Sequence, residues 1–215
     1  MAETEATEPA ADAKPPTQPR ADHKWRIFAI AGVLSLVADQ VTKIWARASL
    51  PVSPKGCAVP ADFMTGHCHG DNVSVLGSFW DWRLSMNPGS AFGLFANNQA
   101  FARVALSLVG IGAVVGMVYM LYKARWDQRV LHWALALVAG GAVGNLIDRI
   151  YYGVVTDFVL LHYGSHEWPV FNVADIVLVV GVGLMFIDIQ KENKRDKARK
   201  QLRLEKAKAA GLVKM

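Results

Sequence analysis

The apolar residues of this 215-residue chain are bunched in four blocks that short polar segments separate. The blocks begin at Trp25, Ala100, Val130 and Trp168. Each is about twenty residues long, the length that a helix rising about 1.5 Å per residue needs to cross a hydrocarbon core of about 30 Å. Because lipid offers no hydrogen-bond partner to an open backbone, the pattern predicts four transmembrane helices.

A different periodicity occurs in the segment between the first two blocks. In "SFWDWRLSMN" the apolar side chains alternate, as they do in a strand that lies on an apolar surface; they are Trp80, Trp82, Leu84 and Met86. The tryptophans suit a membrane interface. The sequence therefore predicts a strand at the edge of the membrane, against which a lipid-bearing molecule could rest.

Composition supports a polytopic membrane protein, because 53% of the residues are hydrophobic. The basic charge is local. Residues 191–215 hold ten Lys or Arg and three acids, a net +7 within a chain of formal net charge +5, so the rest sums to −2. Beside a membrane span such a tail is typical of a topology signal that touches anionic lipid, and no nucleic-acid partner is expected.

The Lys and Arg residues also predict the orientation. Cations precede the first block, fill the turn between the second and third, and follow the fourth. Only Arg47, Lys55 and Arg83 occur between the first two blocks, and none lies at residues 151–170. Both termini are therefore expected in the cytoplasm. Residues 1–24, rich in Ala, Glu, Pro and Thr, are interpreted as a disordered cytoplasmic extension.

With that orientation, the polar residues within the blocks collect near the outer ends of the helices. Asp39 and Lys43 are four apart, and Asn145 precedes Asp148 and Arg149 by three and four, so each set occupies one helical face. Ionisable groups at membrane depth are costly and usually functional. We expect these faces to point inward together.

Two acids have no cation in their own segments: Asp157 in "VVTDFV" and Asp175 in "FNVAD". Two carboxylates that meet in a partly dry site cannot both ionise easily, so they share a proton. One can then act as a base towards water while the other polarises a carbonyl group. This chemistry is peptide hydrolysis by an aspartic dyad.

Five short motifs now converge on one family. They are "DQVTK" at residues 39–43, "NPGSAFG" at 87–93, "GNLIDR" at 144–149, "GVVTDF" at 153–158 and "FNVAD" at 171–175. In this order they resemble the signature blocks of the bacterial lipoprotein signal peptidases, the type II signal peptidases. The resemblance spans roughly residues 25–190.

The resemblance implies an aspartic endopeptidase of the bacterial inner membrane, which removes the signal peptide of prolipoproteins just before a diacylglyceryl-modified cysteine. It makes Asp157 and Asp175 the catalytic pair. It also implies residues that bind substrate or support the dyad: Asp39, Lys43, Asn87, Asn145, Asp148, Arg149 and Asn172. Lipidated prolipoproteins and membrane lipids are the expected partners of a monomer, and no cofactor or metal is expected.

The implied fold is a mainly α membrane protein: a four-helix bundle with a small extracytoplasmic β-cradle and a short helix. We accordingly divide the chain into the extension at residues 1–24, a peptidase domain at 25–190 and a basic cytoplasmic tail at 191–215. The cradle is expected at about residues 49–98.

Other functions are less well supported. An ion-coupled carrier would place charged groups at several depths and preferably show an internal repeat, and neither is found. A catalytically silent lipid-peptide binder of the same fold is disfavoured because both aspartates are present.

The segment between the first two blocks is longer than the resemblance requires, and it carries Cys57, His67, Cys68 and His69. An oxidising compartment favours a disulfide between the two cysteines. A metal site and two free thiols remain as alternatives.

Overall fold

The computed structural model of the protein describes residues 22–89 and 99–209. Its long helices are α1 (Asp22–Ser49), α3 (Gln99–Lys123), α4 (Arg129–Tyr151) and α5 (Val173–Ala209). All four are long and apolar enough to cross a membrane, which confirms the predicted class. Four predictions lie partly outside the described residues: the extension before residue 22, residues 90–93 of "NPGSAFG", residues 90–98 of the expected cradle, and the tail after residue 209.

Helix α4 is at the centre of the bundle. It contacts α1, α3 and α5, and most of its membrane-crossing residues are buried, whereas few of those of α3 are. Two glycines allow α1 to approach closely. A Cβ atom on Gly140 would lie 2.7 Å from the carbonyl oxygen of Gly32, and one on Gly144 would meet the Asp39 carboxylate. Small residues at these positions therefore bring Asp39 directly against α4.

A four-stranded antiparallel sheet covers one end of the bundle, called the sheet end here. Its strands are β3 (Val73–Leu76), β4 (Trp80–Asn87), β5 (Val155–Tyr163) and β6 (His166–Glu167), in that order. Strand β4 forms where the alternation predicted a strand, but its register with β5 shifts between Trp82 and Ser85, so the alternation is not regular along its whole length. Strands β5 and β6 come from the connection between α4 and α5, so the sheet joins two segments that are far apart in the chain.

The long segment before β3 folds back on itself. Strands β1 (Val52–Ser53) and β2 (His69–Gly70) pair antiparallel, and the short helix α2 (Ala61–Met64) lies between them. A disulfide joins Cys57 to Cys68, as the sequence favoured. Residues 52–70 are called the disulfide segment below.

One apolar cluster attaches the sheet to the bundle. Its buried members come from α1, β4 and β5: Ala46, Leu50, Leu84, Phe158 and Val159. The alternating side chains of β4, including Trp80, Trp82 and Met86, pack against this cluster. Trp45 of α1 meets Trp82 edge to face, with ring centroids 5.4 Å apart. The cluster thus fixes β5, and Asp157 with it, at the sheet end.

Candidate active site

Asp175 lies in the first turn of α5, where a reciprocal cap begins the helix. Asn172 immediately precedes the helix, and its side-chain oxygen accepts a hydrogen bond from the Asp175 backbone N–H at 3.0 Å. The Asp175 carboxylate in turn accepts the Asn172 backbone N–H at 3.2 Å. Each residue thus satisfies a donor that the helix start leaves free, as in a capping box. The cap holds Asp175 beside Asn172.

Asp157 lies in β5 and is 2% exposed. Its carboxylate accepts hydrogen bonds from the side-chain amides of Asn87, at 3.0 Å, and Asn172, at 2.6 Å. Burial raises the pKa of Asp157 to about 7, and the nearby Asp175 carboxylate adds to the rise, while the two amides oppose it. A carboxyl group with this pKa exchanges its proton near neutral pH.

Asn172 therefore contacts both aspartates. Its side-chain amide donates to Asp157, while its backbone N–H and side-chain oxygen bond to Asp175. One residue thus holds the two carboxyl groups in a shared site.

Asn145 provides a second link, and its orientation follows from a buried cation. The fully buried ammonium of Lys43 donates to the Asn145 side-chain oxygen at 2.8 Å. Because an ammonium group has donors only, it fixes that oxygen towards Lys43 and turns the Asn145 NH₂ group the other way. This NH₂ group donates to the Asp175 carboxylate at 3.0 Å.

Two further buried acids hold the backbone beside the dyad. Asp39 accepts the backbone N–H of Ala174 at 2.9 Å, and Asp148 accepts that of Thr156 at 2.8 Å. Ala174 and Thr156 immediately precede Asp175 and Asp157. Each supporting acid therefore fixes the residue before one member of the pair.

The charge of these acids is balanced locally. Lys43 lies 2.9 Å from Asp39 and 3.6 Å from Asp148, and Arg47 lies 3.6 Å from Asp148. Removing one partner from such a buried network typically costs about 3–5 kcal/mol, because the remaining charge is left uncompensated. The ion pair between Asp39 and Lys43 is therefore structural and also connects to the site through Asn145.

Arg149 is half-buried beside the same group of residues. Its guanidinium donates to the backbone carbonyl of Asn145 at 3.3 Å. The carboxylates of Asp175, Asp157 and Asp148 are near enough to interact with its charge. Within the described residues no carboxylate lies within ion-pair distance of Arg149, so its guanidinium is not bound to an acid.

All nine side chains that the sequence singled out thus gather at the sheet end. Sequence reasoning missed three others. Arg47 donates to the Thr156 hydroxyl at 2.7 Å, and Gln40 bridges Asp39 to the carbonyl of Gly144. A signal for Arg47 was available, because Asp39, Lys43 and Arg47 are spaced by four and share one face of α1.

An apolar groove of about 300 Å³ begins at Asp175. Its walls are Trp168 and Phe171 near the helix start and Ile176, Val179 and Val180 along α5. The groove leads from the carboxyl groups along the surface of a membrane-crossing helix.

Comparison with known proteins agrees with this architecture. A lipoprotein signal peptidase of Janthinobacterium sp. (strain Marseille) is 38% identical over 159 residues, which cover 74% of this chain and 84% of that protein. One from Clostridium tetani (strain Massachusetts / E88) is 33% identical over 75% of this chain and 90% of that protein.

Solved structures show a similar fold. A bacterial membrane enzyme determined at 2.3 Å resolution is 24% identical, with a TM-score of 0.62 over 78% of this chain and 90% of its own. A second, at 1.9 Å resolution, is 26% identical, with a TM-score of 0.58 over 75% of this chain and 91% of its own. The family model described as signal peptidase (SPase) II matches residues 31–191. The chain therefore belongs to the signal peptidase II family of membrane peptidases.

Proposed function

We infer that this peptidase removes signal peptides from diacylglyceryl-modified prolipoproteins, and that Asp157 and Asp175 are its catalytic residues. The observation that carries the proposal is Asn172, which hydrogen-bonds to both carboxyl groups at one end of the apolar helix bundle. The names of the related lipoprotein signal peptidases support the substrate class.

The two aspartates divide the acid and base roles. Asp157 is the buried member, and its raised pKa of about 7 favours the protonated form below about pH 7. Asp157 therefore donates a hydrogen bond to the carbonyl oxygen of the scissile peptide. The Asp175 carboxylate accepts a proton from a water molecule, whose oxygen attacks the carbonyl carbon.

The tetrahedral intermediate then collapses. The C–N bond breaks, the released amine takes up a proton from the dyad, and the new carboxyl group remains on the signal peptide. Arg149 and Asn145, which border the carboxyl groups, hold the substrate backbone during these steps. Asp39, Lys43, Asn87, Asp148 and Asn172 position the pair.

The proposal predicts that neither aspartate can be spared. Asp157→Asn and Asp175→Asn should each lower cleavage of a lipidated prolipoprotein by several orders of magnitude, because asparagine cannot exchange the proton. The double variant should be scarcely worse than either single one, since groups that act as a unit are not additive. Gel analysis of the cleaved and uncleaved prolipoprotein measures both effects.

A matched control is Asp81→Asn. Asp81 is also buried, but it lies further along β4 and meets His162 at 3.3 Å instead of the dyad. This variant should cleave at nearly the native rate. In a separate control, a chelator should not change the activity of the native enzyme. Near-native cleavage by Asp157→Asn or Asp175→Asn would exclude the dyad and favour a binding or transport role.

A further inference from the structure

A second groove meets the dyad from the side of the sheet. It has a volume of about 330 Å³ and lies between β4 and the disulfide segment. Residues 83–86 form one wall, and the other consists of Phe63, Cys68, His69 and Gly70. Asn87 follows this wall in β4, and its side-chain amide donates to the Asp157 carboxylate. Ser85 is directly opposite Asp157 in the β4–β5 ladder. The groove therefore lies beside the proposed active site.

Part of β4 in this groove has a free edge. Strand β5 pairs with β4 as far as Asn87, but β3 pairs with it only from Trp80 to Trp82. Among residues 22–89 and 99–209, no strand pairs with residues 85–87 on the β3 side. Such an edge presents backbone N–H and C=O groups to which an extended peptide can add as another strand.

The disulfide segment limits the length of this edge. Gly70 lies directly on the backbone of Leu84, so that a Cβ atom on Gly70 would come within 2.7 Å of the Leu84 nitrogen. Phe63 packs against the apolar cluster of the sheet, and the disulfide ties Cys68 to Cys57. The edge beyond this obstruction is three residues long, or about 10 Å at about 3.3 Å per residue.

We propose that the substrate residues just after the scissile bond add as a short strand to residues 85–87 of β4, and that the disulfide segment ends this strand at Gly70. The inference rests on the proposed function and adds the recognition of the mature part of the substrate.

The groove along α5 and the groove beside β4 differ in polarity. The one along α5 is apolar and suits a signal peptide in lipid, whereas the β4 groove includes Arg83, His69 and Ser85 and suits a polar chain that leaves the membrane.

A backbone N-methyl scan of the substrate tests this geometry. Lipidated peptides would carry one N-methylated residue at each of the six positions after the modified cysteine. In a strand, alternate N–H groups point to the same neighbouring strand. Methylation should therefore lower kcat/KM at every second position among the first three or four. The expected loss at each such position is about tenfold, as for one backbone hydrogen bond. Methylation further along should have no effect.

The outcomes separate the two proposals. A flat profile, with the unmethylated peptide cleaved normally, would overturn strand addition and leave the peptidase assignment intact. Failure to cleave the unmethylated lipidated peptide would overturn the proposed function itself.

Changing the enzyme gives an independent readout. His69→Trp narrows the groove from the side of the disulfide segment and should raise KM about tenfold for a peptide that continues six residues past the modified cysteine. The KM of a peptide that ends at the cysteine amide should rise much less, because that peptide does not extend along the groove. His67→Trp, at an exposed position of the same segment outside the groove, is the matched control and should change neither value. An equal loss with the long and short peptides would contradict the role of the groove.

Discussion

Asp39 and Asp148 hold the dyad through the backbone. Each accepts the N–H group of the residue before a proposed catalytic aspartate, Ala174 in one case and Thr156 in the other. Lys43 contacts both acids, so one buried cation couples the start of β5 to the start of α5. The distance between the two proposed catalytic groups therefore depends on residues that need not touch the substrate.

Asp157 should give the reaction a pH dependence. Burial and the Asp175 carboxylate raise its pKa to about 7. The mechanism needs one proton on the pair, so kcat/KM should fall above about pH 7, approaching tenfold per pH unit. A pH–rate profile in lipid vesicles measures this. A constant rate up to pH 9 would contradict the role given to Asp157.

The same shift predicts how stability changes with pH. The folded-state pKa of Asp157 is above its ordinary value of 3.8, so its contribution to stability is fully present below about pH 4 and is lost as pH rises towards 7. The loss is on the order of a few kcal/mol. In Asp157→Asn the unfolding temperatures at pH 5 and pH 8 should lie closer together than in the native protein.

Arg149→Lys should not be a mild change. The guanidinium uses one N–H for the Asn145 carbonyl, and in the proposed function its others bind the substrate; a lysine ammonium cannot reproduce that planar arrangement. Loss of a charge-assisted hydrogen bond should lower kcat/KM about 10- to 100-fold. Arg103→Lys is a matched control, because Arg103 bonds the α4 carbonyl of Ile150 outside the site. Native rates in the Arg149 variant would make Arg149 an interface anchor.

At the scale of elements, alternation revealed β4 but not β5. The apolar residues of β4 alternate with polar ones, and they belong to the apolar cluster or pack against it, although the register with β5 shifts between Trp82 and Ser85. Strand β5 is buried along residues 155–160, and a strand covered on both faces shows no period of two. The sequence "VTDFVLL" therefore indicated an acid in an apolar surrounding without indicating a strand.

The first residue of α5 is determined by a β-bridge and a helix cap, and not by where the apolar run begins. The apolar run begins at Trp168, but the helix begins at Val173. Phe171 instead forms a β-bridge with Val159, and Asn172 caps the helix. The motifs pointed to all nine residues that gather at the sheet end, because each motif is a local signature. Spacing places Arg47 on the same face of α1 as Asp39 and Lys43, but its contact with Thr156 joins segments that are distant in sequence, so no local pattern specifies that contact.

The disulfide should contribute to stability and not to the chemistry. Cys57 and Cys68 lie outside the network that holds Asp157 and Asp175. Changing both to serine should leave cleavage largely intact and lower the stability by a few kcal/mol, as loss of a native disulfide typically does. Thermal unfolding and the cleavage assay measure the two effects separately. Complete loss of activity in a folded variant, or its restoration by zinc, would revive the metal site.

At the scale of the whole molecule, α5 is longer than a membrane requires. Its 37 residues span about 55 Å, whereas about 20 residues cross the hydrocarbon core. The basic part therefore continues as a helix beyond the span. Ion pairs fix its first turns to the connection between α3 and α4, where Arg125 lies 2.9 Å from Glu192 and Arg195 lies 3.4 Å from Asp127. The cations at this end of the bundle belong to one surface.

That charge distribution predicts the orientation. The end opposite the sheet carries the α3–α4 connection and the basic tail, and Lys and Arg favour the cytoplasmic side, so the sheet and the dyad should face outwards from the inner membrane. Reporter fusions at Lys194 and Val73, which three spans separate, should lie in opposite compartments. A fusion at Arg125 is the control and should match Lys194, because α4 and α5 return the chain to the same side. If Lys194 and Val73 shared a compartment, the number of spans between them would be even, and the dyad could not lie at the outer end of a four-span bundle.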